Sequence, residues 1–170
     1  METIAYLDPK NYDSKLPVVR REAVRGVIFV DGKLLMISSK CDEVVFPGGG
    51  IQGQETDLMA LKREIKEETG YNIIESSVKP IGNIIEHRKD RYEERIWHQE
   101  NRYYSCDVDK TTLSQTNYTP GELKRGLGVI YLSIPEAMQR KEEKFKQEGI
   151  QSWNERGYLI LQYLQANKEG

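Results

Sequence analysis

The sequence predicts a mixed α/β fold in which a mixed β-sheet is covered by helices. Three observations lead there. Asp31-Gly32 separates two apolar runs, Glu22–Val30 and Lys33–Ser38. An Asp-Gly pair so placed is a strong hairpin signal, because both central turn positions take positive φ. A segment of helical period runs from about Glu55 to Thr69 and stops at Gly70, a residue suited to the left-handed position that ends a helix. Finally, strand-like and helix-like segments follow one another without strict alternation, which disfavours an all-parallel sheet.

The elements can be justified in chain order. The first 17 residues, through Pro17, are polar and hold two prolines. They are expected to form an N-terminal arm, with residues 18–170 as a single domain. After the hairpin, Val44-Val45-Phe46 reads as a short strand running into Pro47 and Gly48-Gly49-Gly50. The helix follows. Ile81–Arg88 and His98–Val108 read as strands, with the charged Lys89–Arg95 between them as a tip. Asp109–Arg125, polar and containing Pro120-Gly121, reads as a long mobile surface loop. Leu127–Ile134 is another strand, and Pro135 opens a helix at the turn where proline is tolerated. The last helix is Trp153–Ala166, with Trp153, Gly157, Ile160, Leu161 and Leu164 on one stripe.

Composition narrows the function. The chain has 170 residues, and its 25 Lys and Arg against 27 Asp and Glu give a net charge of −2. A binder of long nucleic acid needs a basic surplus, and none exists overall. No apolar run approaches the length of a membrane span. The N-terminus has neither a basic nor an apolar region, so no secretory signal is expected. Cys41 and Cys106 are too far apart for a CxxC pair and read as reduced thiols of a cytoplasmic protein. His87 and His98 are too few for a zinc cluster.

The chemistry lies in Gly49–Tyr71, GGIQGQETDLMALKREIKEETGY. At about 100° per residue, Glu64, Glu67 and Glu68 share roughly a third of the helix circumference. Leu58, Leu61 and Ile65 form the adjacent core stripe, and Lys62, Lys66 and Thr69 lie on the far side. Like charges at i, i+3 and i+4 oppose the helix and are best tolerated under a cation. Oxygen donors without His or Cys suit Mg²⁺, Mn²⁺ or Ca²⁺ rather than zinc. Glu55 either complements the helix dipole or serves the site. Arg63 stands four residues before Glu67, a spacing that allows a side-chain pair.

This segment resembles the Nudix box, and the chain is similar to the MutT-like Nudix hydrolases. The resemblance implies an α/β/α sandwich around a mixed sheet. It implies hydrolysis of a nucleoside diphosphate linked to another moiety X, with Mg²⁺ or Mn²⁺ and more than one ion per site. It makes Glu67, Glu68, Glu64 and the Gly48 carbonyl metal ligands, with Glu64 also a candidate general base, and it makes Arg63 an orienting partner of a carboxylate rather than a substrate contact. Weaker likeness extends through Glu122, Tyr131 and Ser133–Ala137. Glu122 is the preferred fourth carboxylate and base, with Glu86 and Glu100 as alternatives. Two positions depart from the family pattern. Gln54 stands where glycine is common, which affects the loop over the diphosphate, and Tyr71 stands where an aliphatic is usual.

A small nucleoside diphosphate derivative is therefore the expected partner, without long nucleic acid or membrane. The oligomeric state stays open, many members of the family being homodimers. Tyr103, Tyr104 and Tyr131 are candidates for stacking a base, and Arg21, Arg25, Lys40 and Arg102 for binding phosphate. The competing function is a non-catalytic Nudix-type regulatory domain that binds a nucleotide or sugar phosphate. The intact box argues against it.

Overall fold

The computed structural model describes residues 1–167. The last three residues of the expected domain, 168–170, lie outside the described residues. A four-stranded sheet is built from β1 (Thr3–Leu7), β2 (Val18–Val27), β7 (Lys79–Lys89) and β8 (Ile96–Ser105), in the order β1-β7-β8-β2. It is mixed: β1 runs parallel to β7, β7 antiparallel to β8, and β2 parallel to β8. The segment expected to be an arm thus supplies an edge strand over Thr3–Leu7. Its polar character hid it, because an edge strand needs only one apolar face. The same reasoning explains why β2 starts at Val18 rather than Glu22. Register with β8 holds from Val18↔Ile96 to Val27↔Ser105, carrying exposed Arg20 and Arg21 along.

The predicted hairpin is present. Phe29–Val30 (β3) pairs antiparallel with Lys33–Ser38 (β4) across Asp31 and Gly32, both at positive φ. Gly128–Leu132 (β10) and Val44–Val45 (β5) complete this second sheet on β4. Side chains alternate along β4, as a strand buried on both faces requires. Leu34 and Met36 face one core and Leu35 the other.

Those two cores define the layers. On one side, Ala60, Leu61 and Ile65 of α1 (Asp57–Thr69) pack with Val24, Ile28 and Leu35. On the other, Ile134 and Ala137 of α3 (Ile134–Glu148) and Ile160 and Leu161 of α4 (Ser152–Ala166) pack with Val27, Leu34 and Ile84. The α1 and α3 helices begin on side-chain caps, Thr56 and Ser133 respectively.

The expected loop Asp109–Arg125 is corrected. Val108–Leu113 forms β9 on the short β6 (Tyr71–Ile73), and Pro120–Arg125 is a short helix, α2. Ser114 N donates to Gly70 O at 2.8 Å, Asn117 N to Glu67 O at 2.7 Å, and Tyr118 Oη to Glu68 O at 2.6 Å. The segment is tied to the C-terminal end of α1 and is not free in solvent. No helix among the described residues is long and apolar enough to cross a membrane.

Candidate active site

Pro47–Ile51 runs alongside β2. Gly26 N donates to Pro47 O at 2.8 Å, Val24 N to Gly49 O at 3.0 Å, and Ile51 N to Glu22 O at 3.0 Å. This close approach requires glycine. Gly48 has φ +133°, and a Cβ there would overlap the Val24 carbonyl and lie 2.9 Å from Arg25 Cα. At Gly49 a Cβ would fall on the Glu64 carboxylate, 2.6 Å from Oε2. The loop is thereby pressed between β2 and the carboxylate face of α1.

Glu68 is buried, and its Oε2 accepts from Gly48 N at 2.7 Å. Desolvation pushes its pKa up to about 7. Arg25 and the Gly48 N–H oppose that rise, while Glu64 and Glu122 add to it. A carboxyl in this position gains from any cation that can reach it. Arg25 acts on it only through its nearby charge, because its Nη1 donates to the carbonyl of Gly48 and, at 3.3 Å, to that of Phe46. The oxygen expected to bind metal therefore faces a guanidinium.

Arg63 fills the role foreseen for it. Its Nε and Nη2 grip Glu55 at 2.7 and 2.8 Å, Nη1 reaches Glu64 at 2.6 Å, and Nη2 also donates to Gly50 O at 3.1 Å. Glu67 lies 3.5 Å from Nη1. Glu55, held chiefly by that side-chain bond, has its pKa lowered to about 2. The two-pronged contact fixes both partners in one plane. Among the described residues, no three His, Cys, Asp or Glu side chains converge as a ready metal cluster. Glu64 and Glu68 are instead turned toward Arg63 and Gly48. The donor chemistry still suits a hard divalent ion: several carboxylates and one carbonyl, one carboxylate nearly sealed from water.

These groups open into a cleft of about 1260 Å³ lined by Gly48, Glu64, Glu67, Glu68, Glu122, Arg21, Arg25 and Lys40, among others. Glu122 is thus brought to the carboxylate site, but not on a loop. It is the third residue of α2, and its Oε2 accepts from Thr119 N and Oγ1 at 2.7 and 2.8 Å in a capping box. Neither alternative base lines the cleft. Glu86 is fully buried and paired with Arg88 and Arg156. Glu100 pairs with Arg102 at 3.1 Å and accepts from Asn83 at 2.6 Å.

Several candidate substrate contacts fall away. Arg102 is ion-paired with Glu22, Asp57 and Glu100 outside the cleft. Tyr103 is in the core, Tyr104 Oη donates to Asp57, and Tyr131 Oη meets Tyr71 Oη at 3.1 Å. What the sequence reading missed is the opposite wall: Arg88, Arg91, Trp97 and Gln99 of the β7–β8 hairpin, and Arg156 of α4. The alternation of Arg88, Trp97 and Gln99 across paired strands was the available signal.

Comparison with known proteins bears on the fold and the family. No curated protein matches the chain. The MutT NUDIX hydrolase from Burkholderia pseudomallei is similar in structure, with TM-score 0.50, 16% identity, and coverage of 69% of this chain and 86% of that one. The E. coli ORF135 protein gives TM-score 0.50 and 19% identity over 89% and 92%. A structure described as ADP compounds hydrolase gives TM-score 0.56 and 17% identity over 88% and 75%. At these identities the likeness is one of fold, and it confirms the mixed α/β arrangement. The model of the NUDIX domain matches residues 19–152, most of the chain. With the box glycines and carboxylates gathered at one cleft, that match establishes that the chain belongs to the Nudix family of hydrolases.

Proposed function

We propose that this chain is a metal-dependent hydrolase of the diphosphate linkage in a nucleoside diphosphate joined to another moiety. The observation that carries the reading is the nearly sealed Glu68 carboxyl, set beside Glu64, Glu67 and Glu122 in a cleft that also exposes arginines. Carboxylates alone would repel a diphosphate. Together with a divalent cation and arginines they can receive one.

Glu64, Glu67, Glu68 and the Gly48 carbonyl are the groups that would hold Mg²⁺ or Mn²⁺, more than one ion being expected. Such ions supply charge neutralisation of the phosphates and an acidified water. The protein's own part is orientation. Arg63 keeps Glu55 and Glu64 in place. Arg21, whose guanidinium lies beside Gly50, faces the cleft and is positioned for a phosphate. Glu122 is the proposed proton acceptor, with Glu64 as the other candidate. Release from the Thr119 cap would free its Oε2. We take the substrate to be a small nucleotide derivative rather than long nucleic acid, given the slightly negative net charge.

Phosphate release over a panel of nucleoside diphosphate derivatives, with Mg²⁺ and with chelator, tests the reading. Metal-dependent release is expected for at least one, and Glu68→Gln should lower it by about 10³-fold or more while the protein stays folded. A folded Glu68→Gln protein with wild-type turnover would remove Glu68 from the chemistry.

A further inference from the structure

The cleft extends well beyond the carboxylates. Its volume of about 1260 Å³ exceeds the roughly 300–1,000 Å³ of ordinary small-molecule pockets. Both tryptophans of the chain line it, Trp97 from β8 and Trp153 from the first turn of α4. Each indole carries a guanidinium over its face, and the two are held differently.

Arg88 lies 5.6 Å from the Trp97 ring centre and is fixed by its 2.7 Å ion pair with buried Glu86. Trp97 Nε1 donates to Gln99 Oε1 at 3.1 Å. That indole and its cover are locked. Arg91 lies 3.6 Å from the Trp153 ring centre, at stacking distance. It is exposed, and no carboxylate lies within 4.0 Å of it among the described residues. A flat cation is therefore resting on an indole face inside the cleft with little else to keep it there. An exposed cation–π contact is weaker than the stacking of a nucleobase on an aromatic ring. A sugar or an alkyl chain has no flat π face and lacks the ring-on-ring stacking that a base gains there.

We propose that Trp153 is the stacking subsite for the flat heterocycle of a nucleotide, and that Arg91 is a place-holder which the heterocycle displaces. This rests on reading the cleft as a nucleotide site and adds where the base goes. The phosphates lie toward Gly48–Gly50 and the base toward the start of α4. Specificity for the base then comes from the β7–β8 hairpin and α4, not from the tyrosines of the core strands.

Because both tryptophans line the cleft, intrinsic fluorescence reads the site directly. The experiment is a titration of the full chain in chelator with AMP and with ribose 5-phosphate, followed by calorimetry on variants. AMP should quench the emission saturably and bind at least about tenfold more tightly than ribose 5-phosphate. Trp153→Leu should weaken AMP binding by about tenfold, and Trp153→Phe should restore it to within about threefold. Arg91→Ala, at an exposed position that folding does not depend on, should leave AMP binding equal or tighter. Equal affinity for the two ligands, a folded Trp153→Leu protein with wild-type affinity, or loss of AMP binding in Arg91→Ala overturns the proposal. Should Trp153→Leu not fold, the ligand pair and Arg91→Ala still decide. No metal or turnover enters these measurements, so their failure leaves the hydrolase reading intact. An inactive chain that still binds AMP in this way would condemn only the latter.

Discussion

Replacing Lys141 by methionine should stabilise this protein. Lys141 lies on the inner face of α3 and is 1% exposed. Its Nζ has one hydrogen bond, to Asn154 Oδ1 at 3.4 Å, and no carboxylate within 4.0 Å among the described residues. Gly157 makes the room, since a Cβ there would sit 2.7 Å from Lys141 Cε. Burial lowers the ammonium pKa from 10.5 to about 8; Glu43 opposes this, and Arg156 and Arg25 reinforce it. A displacement of that size corresponds to about 3 kcal/mol of penalty on the charged form. Methionine keeps the length and removes the charge, while leaving Asn154 Oδ1 without its donor costs about 1 kcal/mol. The net gain at neutral pH is then about 2 kcal/mol. The sign with pH follows. Below about 8 both folded and unfolded chains hold the proton and the penalty is complete. Between about 8 and 10.5 the folded chain sheds the proton while the unfolded chain keeps it, so wild-type stability rises with pH relative to the variant. Urea unfolding of both proteins at about pH 7 and about pH 10 reads the difference, because groups shared by both cancel. A variant less stable by more than about 1 kcal/mol, or a difference that does not change with pH, would refute the assignment of a strained, charged Lys141.

Three further outcomes are expected. Glu122→Gln should lower kcat by about 10²–10⁴ with little change in metal affinity if Glu122 is the base; a parallel fall in metal affinity would make it a ligand, and no change would leave it a helix cap, as steady-state kinetics and metal titration would show. Gly48→Ala should cost about 2 kcal/mol or more and abolish turnover, because the loop must retreat from Val24 and Arg25; denaturant unfolding with a phosphate-release assay checks both. Tyr118→Phe, which removes the 2.6 Å bond to the Glu68 carbonyl, should speed exchange of the Asn117 amide by about fivefold; unchanged exchange would mean the segment is held elsewhere.

Much of the fold was legible because its signals are local. Asp31-Gly32 demanded a turn with positive φ, and the structure has one. Gly70 sits at φ +76° at the end of α1, as a left-handed cap. What was not legible depends on partners far along the chain. Thr3–Leu7 becomes a strand only because β7 offers a parallel edge, and Val18–Arg21 only because β8 runs beside it. Val108–Leu113 pairs with Tyr71–Ile73, more than thirty residues earlier, and neither short segment carries enough pattern to be seen alone. Long-range pairing of polar strands leaves almost no trace in hydropathy.

The site divides along the same line. The carboxylates of α1 and Arg63 were readable because helical spacing sets them on neighbouring faces, and Glu55, just before the helix, lies only eight residues from Arg63. The far wall was not, because it is assembled by strand register: Arg88 opposite Trp97, with Gln99 two residues on. Yet the two halves depend on each other electrostatically. Glu64, Glu67, Glu68 and Glu122 around one cleft would repel a diphosphate, and Arg21, Arg25 and Arg156 at the same cleft would repel a cation. Arg25, bonded to the Gly48 carbonyl, eases that conflict within the protein, since its charge counters part of the rise that burial imposes on Glu68. A divalent ion held by the Gly48 carbonyl would compete with that guanidinium for the oxygen. That link between the glycine loop and β2 is one that neither the box motif nor the strand pattern encodes by itself.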